Sequence, residues 1–179
     1  MAEKADWSHL TENKKTPNSE LVVIAPGGVF GPPLGDDITG ESLSILSKML
    51  DGKIPFVPKT AFPMVDVRDV AQLHVKALKN KTAAGKRFIV SGAEPISFVD
   101  AATILKQNGY RGPSTKIAPA WLLNFMALFD REAKGMLGIL DMHLKADNSA
   151  TIKTFKWNPI PFEKSLIESA AAVNKIKAR

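Results

Sequence analysis

The sequence predicts an α/β fold with a parallel sheet in its first part and a mostly helical second part. Three observations carry this. Short apolar runs of strand character, at residues 21–25 and 87–91, alternate with stretches of helical periodicity up to about residue 110. Strands buried on both faces of a parallel sheet read as such runs. From residue 111 onward, nearly every periodic stretch is helical. Finally, residues 26–40 hold five Gly and three Pro directly after the first strand. Loops at the C-terminal ends of parallel strands are where α/β sheets bind ligands. Two zones follow, residues 1–110 with the sheet and residues 111–179 as a helical lobe.

Each element has a local reason. Residues 2–13 read as a helix with Ala2, Ala5, Trp7 and Leu10 on its apolar side. The polar stretch from Asn13 to Ser19 contains Pro17 and reads as a loop. Residues 21–25 form a strand that Pro26 ends, and residues 26–40 a loop. Leu43, Leu46, Met49 and Leu50 make residues 41–51 a helix, stopped by Gly52. Pro55, Pro58 and Pro63 make residues 54–62 an extended loop or a sheet edge. Asp66 is an N-cap with Asp69 in the first turn, where the helix dipole favours carboxylates. Val67, Val70, Ala71, His74, Val75 and Leu78 form the stripe expected to pack inward.

A strand at 87–91 precedes Gly92, and Ser97 caps a helix with Phe98, Ala101, Ile104 and Leu105 inward and Gly109 as its stop. Residues 116–118 read as a short strand, with helices at 120–129 and 131–140. Asp147 or Asn148 caps a short helix ending near Trp157. Pro159 and Pro161 make a rigid turn before a last helix over 162–177, faced by Phe162, Leu166, Ile167, Ala170 and Val173.

Composition narrows the function. The 179 residues suffice for one core, and 45% hydrophobic with 23% charged residues is ordinary for a globular chain. Without Cys there is neither a disulfide framework nor a thiolate metal site. The net charge of +6 includes Lys175, Lys177 and Arg179, which suit the negative end of a solvated helix. No nucleic-acid partner is expected from them. No apolar run reaches the ~18 residues of a membrane span. The first residues are too polar for a signal peptide, so the expected location is cytoplasmic.

The Gly-rich stretch sits where a phosphate loop would, but Gly27, Gly28, Gly31 and Gly35 do not give the Gly-x-Gly-x-x-Gly spacing. Pro32 and Pro33 also remove two backbone donors. Small residues here let backbone approach a flat ring, or simply let a tight loop leave the sheet. His74 reads as a buried core histidine, and His9 and His143 are isolated. No cluster has metal-ligand spacing. Arg68, between Asp66 and Asp69, reads as a structural ion-pair partner. Trp7, Trp121 and Trp157 read as packing residues. Phe125, Met126, Phe129 and Met136 read as helix packing, with the lining of a substrate pocket as the alternative.

Two segments carry a family resemblance. Residues 21–33, with Pro26, Gly27, Gly28 and Gly31, and residues 65–78, opening on Val-Asp-Val-Arg-Asp-Val-Ala, together resemble the second half of an extended short-chain dehydrogenase/reductase. The dihydroflavonol-4-reductase and aldehyde-reductase branch is the most similar. Residues 2–7 resemble the stretch after that family's catalytic Lys, and residues 147–173 its closing Trp-Asn-Pro turn and helix. The resemblance implies a partial Rossmann-type sheet, made of its last strands, plus a substrate-binding lobe. It implies NADP (or NAD) as cofactor of the parent enzyme and a small-molecule carbonyl substrate. It puts Pro26, Gly27 and Gly28 beside the nicotinamide and its ribose. Ser42 becomes a candidate for the cofactor phosphates, with a helix-start role as the alternative.

The family's Gly-rich fingerprint and Tyr-x-x-x-Lys pair belong upstream of Leu21, and neither occurs here. The one Tyr, Tyr110, is followed four positions on by Ser114. No catalytic residue, tight cofactor binding or turnover is therefore expected of this chain alone. A fragment of a nucleotide-sugar epimerase/dehydratase and a non-enzymatic cofactor-sensing or partner-binding relative are the alternatives. An open strand edge at residues 21–25 leads us to expect a homo-oligomer in contact through residues 1–30, with no membrane partner.

Overall fold

The computed structural model describes residues 2–12, 19–119, 121 and 142–179. In chain order the elements are α1 (Ala2–Glu12), β1 (Val22–Pro26), β2 (Gly28–Phe30), α2 (Glu41–Leu50), β3 (Ala61–Asp66), α3 (Val67–Lys79), β4 (Lys86–Val90), β5 (Pro95–Ser97), α4 (Phe98–Gln107), α5 (Ser149–Phe155) and α6 (Phe162–Lys177). The fold is α/β with parallel strands, as expected. Residues 13–18 of the loop expected from Asn13 to Ser19, the helices at 120–129 and 131–140, and the cluster of Phe125, Met126, Phe129 and Met136 lie outside the described residues, apart from Trp121.

β1 pairs in parallel with β4, from Val22 opposite Lys86 to Pro26 opposite Val90. β2 pairs in parallel with β3, and β3 in antiparallel with β5. The two sheets meet where the chain leaves β1 and β4. Gly27 N–H donates to Val90 O at 3.1 Å, and Gly92 N–H donates to Met64 O at 2.8 Å. Because Val90 O faces β1, the carbonyls of Ile89 and Ser91 point to the other side of β4. There Thr151 Oγ1 donates to Ile89 O at 2.6 Å and Asn148 Nδ2 to Ser91 O at 2.7 Å. α5 thus closes one edge of the β1–β4 pair.

Two apolar clusters hold the molecule. Val65, Leu73, Ala77, Phe88, Val90, Phe155 and Trp157 pack beneath α3 and α5, with Phe88 and Phe155 edge to face at 4.7 Å. Leu46, Met49, Ala101, Ala102, Leu105, Leu166, Ala170 and Val173 join α2, α4 and α6. Each cluster draws residues from both sides of position 110.

The local chemistry follows the sequence at several ends. Asp66 Oδ1 accepts from Arg68 N at 2.8 Å and caps α3. Ser97 and Asp100 cap α4 reciprocally. Gly52 and Gly109 follow α2 and α4 at φ of 68° and 89°, a left-handed backbone that favours glycine. Lys177 Nζ lies 2.6 Å from Asp51 Oδ1, and Arg179 Nη1 lies 2.6 Å from Asp36 Oδ1. Two cations of the basic C-terminus are thus held by the domain's own carboxylates.

Four expectations need correction. Residues 28–30 and 95–97 are strands, and the stretch around Pro63 lies in β3, the middle strand of three. Prolines hid this. Pro63 stands opposite Pro95, and an antiparallel ladder leaves every second pair unbonded, so neither position needs an N–H. In α3 the packed residues are Asp69, Leu73 and Ala77, with Val70 half-buried. Val67, Val75 and Leu78 are 39%, 51% and 89% exposed. The helix has two apolar sides, and spacing alone does not say which one the sheet takes. His74 is accordingly exposed, with Nδ1 2.8 Å from Val70 O, rather than in the core. Trp157 is buried, but Trp121 is exposed. Residues 116–118 contribute a single bridge, Ile117 with Val57, instead of a strand.

Candidate functional site

The site begins where β1 runs into β2. Pro26 ends β1 exposed, at the C-terminal end of the parallel pair. Gly27 follows with no room for a side chain. A Cβ there would collide with the Pro63 carbonyl oxygen and come within 2.9 Å of Ser91 Cβ. At Gly28 a Cβ would meet Met64 Sδ at 2.5 Å, the tip of a flexible side chain. Packing against β3 therefore accounts for glycine at 27 by itself. The buried Ser91 Oγ beside it has no hydrogen-bond partner among the described residues.

A groove of about 570 Å³ opens just beyond, walled by Val29, Phe30, Gly31, Pro32, Pro33 and Leu34, by residues 40–43, and by Val67, Arg68 and Ala71. Its loop is pinned at Gly31. The Gly31 N–H donates to Ser169 Oγ at 2.8 Å, and φ there is 139°, with Val67 Cγ1 occupying the space of a side chain. Ser42 lines this groove from the first turn of α2. Gly40, not Ser42, holds the N-cap position, and it makes no side-chain cap bond. Of the four residues singled out from sequence, Ser42 lines the groove, while Pro26, Gly27 and Gly28 stand just upstream of its wall.

Arg68 reaches the groove already engaged. Its Nε and Nη2 donate to Asp66 Oδ1 and Oδ2 at 2.8 and 2.7 Å, and Nη1 lies 2.6 Å from Glu168 Oε2. Burial pushes the Asp66 carboxyl up, but the hydrogen bonds from the Arg68 side chain and backbone outweigh it and hold it below the ordinary range. The same pairing raises the Arg68 pKa further. Arg68 is a structural fork, held by the flanking Asp66 as expected, but its second partner is Glu168 of α6 and not Asp69.

A pocket of about 150 Å³ is lined by Met64, Val65, Asp69, Gly92, Glu94, Ile96 and residues 159–162. Sequence reasoning missed the part Asp69 plays here. Its Oδ2 accepts from Ile160 N at 2.8 Å, which ties α3 to the proline turn. The acidic first turn pointed only to the helix dipole. No group of His, Asp and Glu among the described residues is placed to hold a metal ion.

The residues present fit one part of a dinucleotide and not another. Pro26 is exposed, and Gly28, half-buried and without a side chain, continues a small surface for a flat ring. The loop itself does not cradle a pyrophosphate, since Pro32 and Pro33 have no N–H and Arg68 is paired, but the Ser42 hydroxyl at the start of α2 lines the groove as a single donor.

Comparison with known proteins finds reductases, each matched over part of its length. The NADPH-dependent methylglyoxal reductase of Saccharomyces cerevisiae is 32% identical over 113 residues, covering 60% of this chain and 33% of the relative. Cinnamoyl-CoA reductase of Medicago truncatula is 34% identical over 90 residues, covering 50% and 26%. The chain is homologous to NADPH-dependent reductases of the short-chain dehydrogenase/reductase superfamily. The crystal structure of the yeast methylglyoxal/isovaleraldehyde reductase complexed with NADPH superposes with a TM-score of 0.71 at 25% identity, covering 99% of this chain and 53% of that one. This reductase homologue thus spans between a quarter and about half of the length of those proteins. UDP-glucose 4-epimerase of Thermotoga maritima shares the fold, with a TM-score of 0.69 at 17% identity over 97% of this chain and 50% of that one. No family model matches the homologue. Among its described residues, no helix is long and apolar enough to cross a membrane.

Proposed function

We propose that this chain is the substrate-lobe part of an NADP(H)-dependent carbonyl reductase and supplies one wall of its nicotinamide site. The observation that carries this is the turn at residues 26–28, at the C-terminal ends of β1 and β4 in a chain whose homologues are NADPH-dependent reductases. NADPH would supply the hydride. Pro26 and Gly28 would bound one face of the ring, and Gly27, pressed on β3, would hold that backbone in place. The Ser42 hydroxyl would donate to a cofactor phosphate from the groove. Residues 1–110 would complete the dinucleotide-binding unit, and residues 111–179 would cover the substrate, a small carbonyl compound. The location would be cytoplasmic. Alone, with the β1 edge open, the chain would associate with itself through residues 1–30. The epimerase reading has only the shared fold behind it.

The test is a fusion of this chain to the dinucleotide-binding half of the yeast relative, assayed with NADPH and methylglyoxal, then with a panel of aldehydes and ketones. The fusion should oxidise NADPH only when a carbonyl compound is present, and the chain alone should not. A folded fusion that binds NADPH and reduces none of the panel refutes the reading.

A further inference from the structure

The groove that Ser42 lines has two walls, and neighbouring residues of α6 tie both of them. On the α3 wall, Arg68 Nη1 lies 2.6 Å from Glu168 Oε2. On the loop wall, the Gly31 N–H donates to Ser169 Oγ at 2.8 Å. Gly31 is buried just past the end of β2, so its N–H needs an acceptor from elsewhere in the fold. Ser169 supplies it in one fixed orientation. A hydroxyl has a single proton, and Ser169 Oγ gives it to Ser165 O at 2.6 Å. Its lone pairs are thereby left for Gly31. Ser165 and Ser169 are fully buried at four-residue spacing, beside Leu166, Ala170 and Val173. Helix packing alone asks for no hydroxyl at 169, since an alanine serves the same face at 170. From the opposite side, Val67 Cγ1 fills the space of a Gly31 side chain, so the loop is held between α3 and Ser169.

We propose that Ser169 is a positioning residue for the cofactor: through Gly31 it fixes the loop wall of the groove at the spacing in which the Ser42 hydroxyl meets a cofactor phosphate. This rests on the reductase reading. Ser169 touches no ligand itself. Phe30 packs edge to face on Phe162 at 5.5 Å, which keeps the loop on α6 when the hydroxyl is removed. The loss is then one of register and not of fold. A residue of the last helix, outside the 1–110 zone, thus sets the affinity for the cofactor.

The experiment compares Ser169→Ala and Ser169→Cys with Val173→Ala, a core truncation on the same helix that does not line the groove. Cysteine fills the same space with a poor acceptor, so it gives the answer if the alanine variant does not fold. In the chain alone, hydrogen exchange of the Gly31 amide, taken relative to the Phe88 amide, should quicken about tenfold in the Ser169 variants and stay unchanged in Val173→Ala. In the fusion to the dinucleotide-binding half of the yeast relative, the dissociation constant for NADPH, read from its fluorescence, should rise roughly five- to tenfold with the Ser169 variants. Val173→Ala should leave it at the parental value. KM for NADPH should follow the dissociation constant, while kcat and KM for the carbonyl compound hold. The proposal is overturned if the folded Ser169 variants keep the parental dissociation constant, if Val173→Ala raises it equally, or if Gly31 exchange does not change. A fusion that shows these shifts but reduces no carbonyl compound supports the positioning role and refutes the reductase reading. A folded fusion that binds no NADPH overturns both.

Discussion

Asp69 in the first turn of α3 accepts a 2.8 Å hydrogen bond from the backbone of Ile160, 91 residues further along the chain. Asp69 is buried and lines the smaller pocket, so this bond joins the sheet-covering helix to the turn that launches α6. Asp69→Ala should destabilise the chain by about 1–2 kcal/mol, since it leaves the half-buried Ile160 N–H without its acceptor. Asp69→Asn keeps an acceptor and should cost about half as much. Urea denaturation separates them. Equal stability of Asp69→Ala and the parent chain would show that the bond holds nothing.

Asp66 makes stability depend on pH. Its folded pKa lies below the ordinary 3.8, so its contribution is complete above that value and is lost as pH falls through the lower folded value. Arg68 is 41% exposed, which limits the pair to about 1–2 kcal/mol. Denaturation midpoints measured from pH 6 down to pH 2 should fall in the acid range for the parent chain. Asp66→Asn should flatten that fall. An unchanged acid slope in the variant would remove Asp66 as its source.

Gly27 should be intolerant for packing reasons. Gly27→Ala forces a Cβ onto the Pro63 carbonyl and should destabilise by about 1–3 kcal/mol. Gly28→Ala, which meets only the movable end of Met64, should be milder. Thermal melts of the two variants give the comparison. The ranking reversed, with Gly27→Ala the more stable, would argue against the contact with β3.

Thr151→Val should uncover one carbonyl on the closed side of β4. The lost bond to Ile89 O amounts to about 1 kcal/mol. The newly bared edge should also raise self-association, seen by light scattering against the parent chain at equal concentration. A variant with parent-like stability and scattering would mean that α5 closes this edge without Thr151.

The described helices, the caps of α3 and α4 and the strands β1 and β4 were legible because each depends on neighbours in sequence. Asp66 caps its own helix, and Ser97 pairs with Asp100 three residues on. β3 was not legible, because Pro63 argues against a strand until Pro95 is known to face it. The inward side of α3 was misassigned because Val67, Val75 and Leu78 are as apolar as Val70, Leu73 and Ala77. At the candidate site, the turn at residues 26–28 was legible from composition and family likeness. The contact of Gly27 with Pro63, and the reach of Asp69 to Ile160, are tertiary facts that no local pattern encodes.

The most direct measurement of the central claim is an intermolecular nuclear Overhauser experiment on the fused polypeptide with bound NADP+. The account predicts cross-peaks from the nicotinamide ring protons to the Pro26 ring and the Gly28 α-protons. A bound nicotinamide whose contacts lie elsewhere, with the signals of Pro26 and Gly28 unmoved by cofactor, would contradict it.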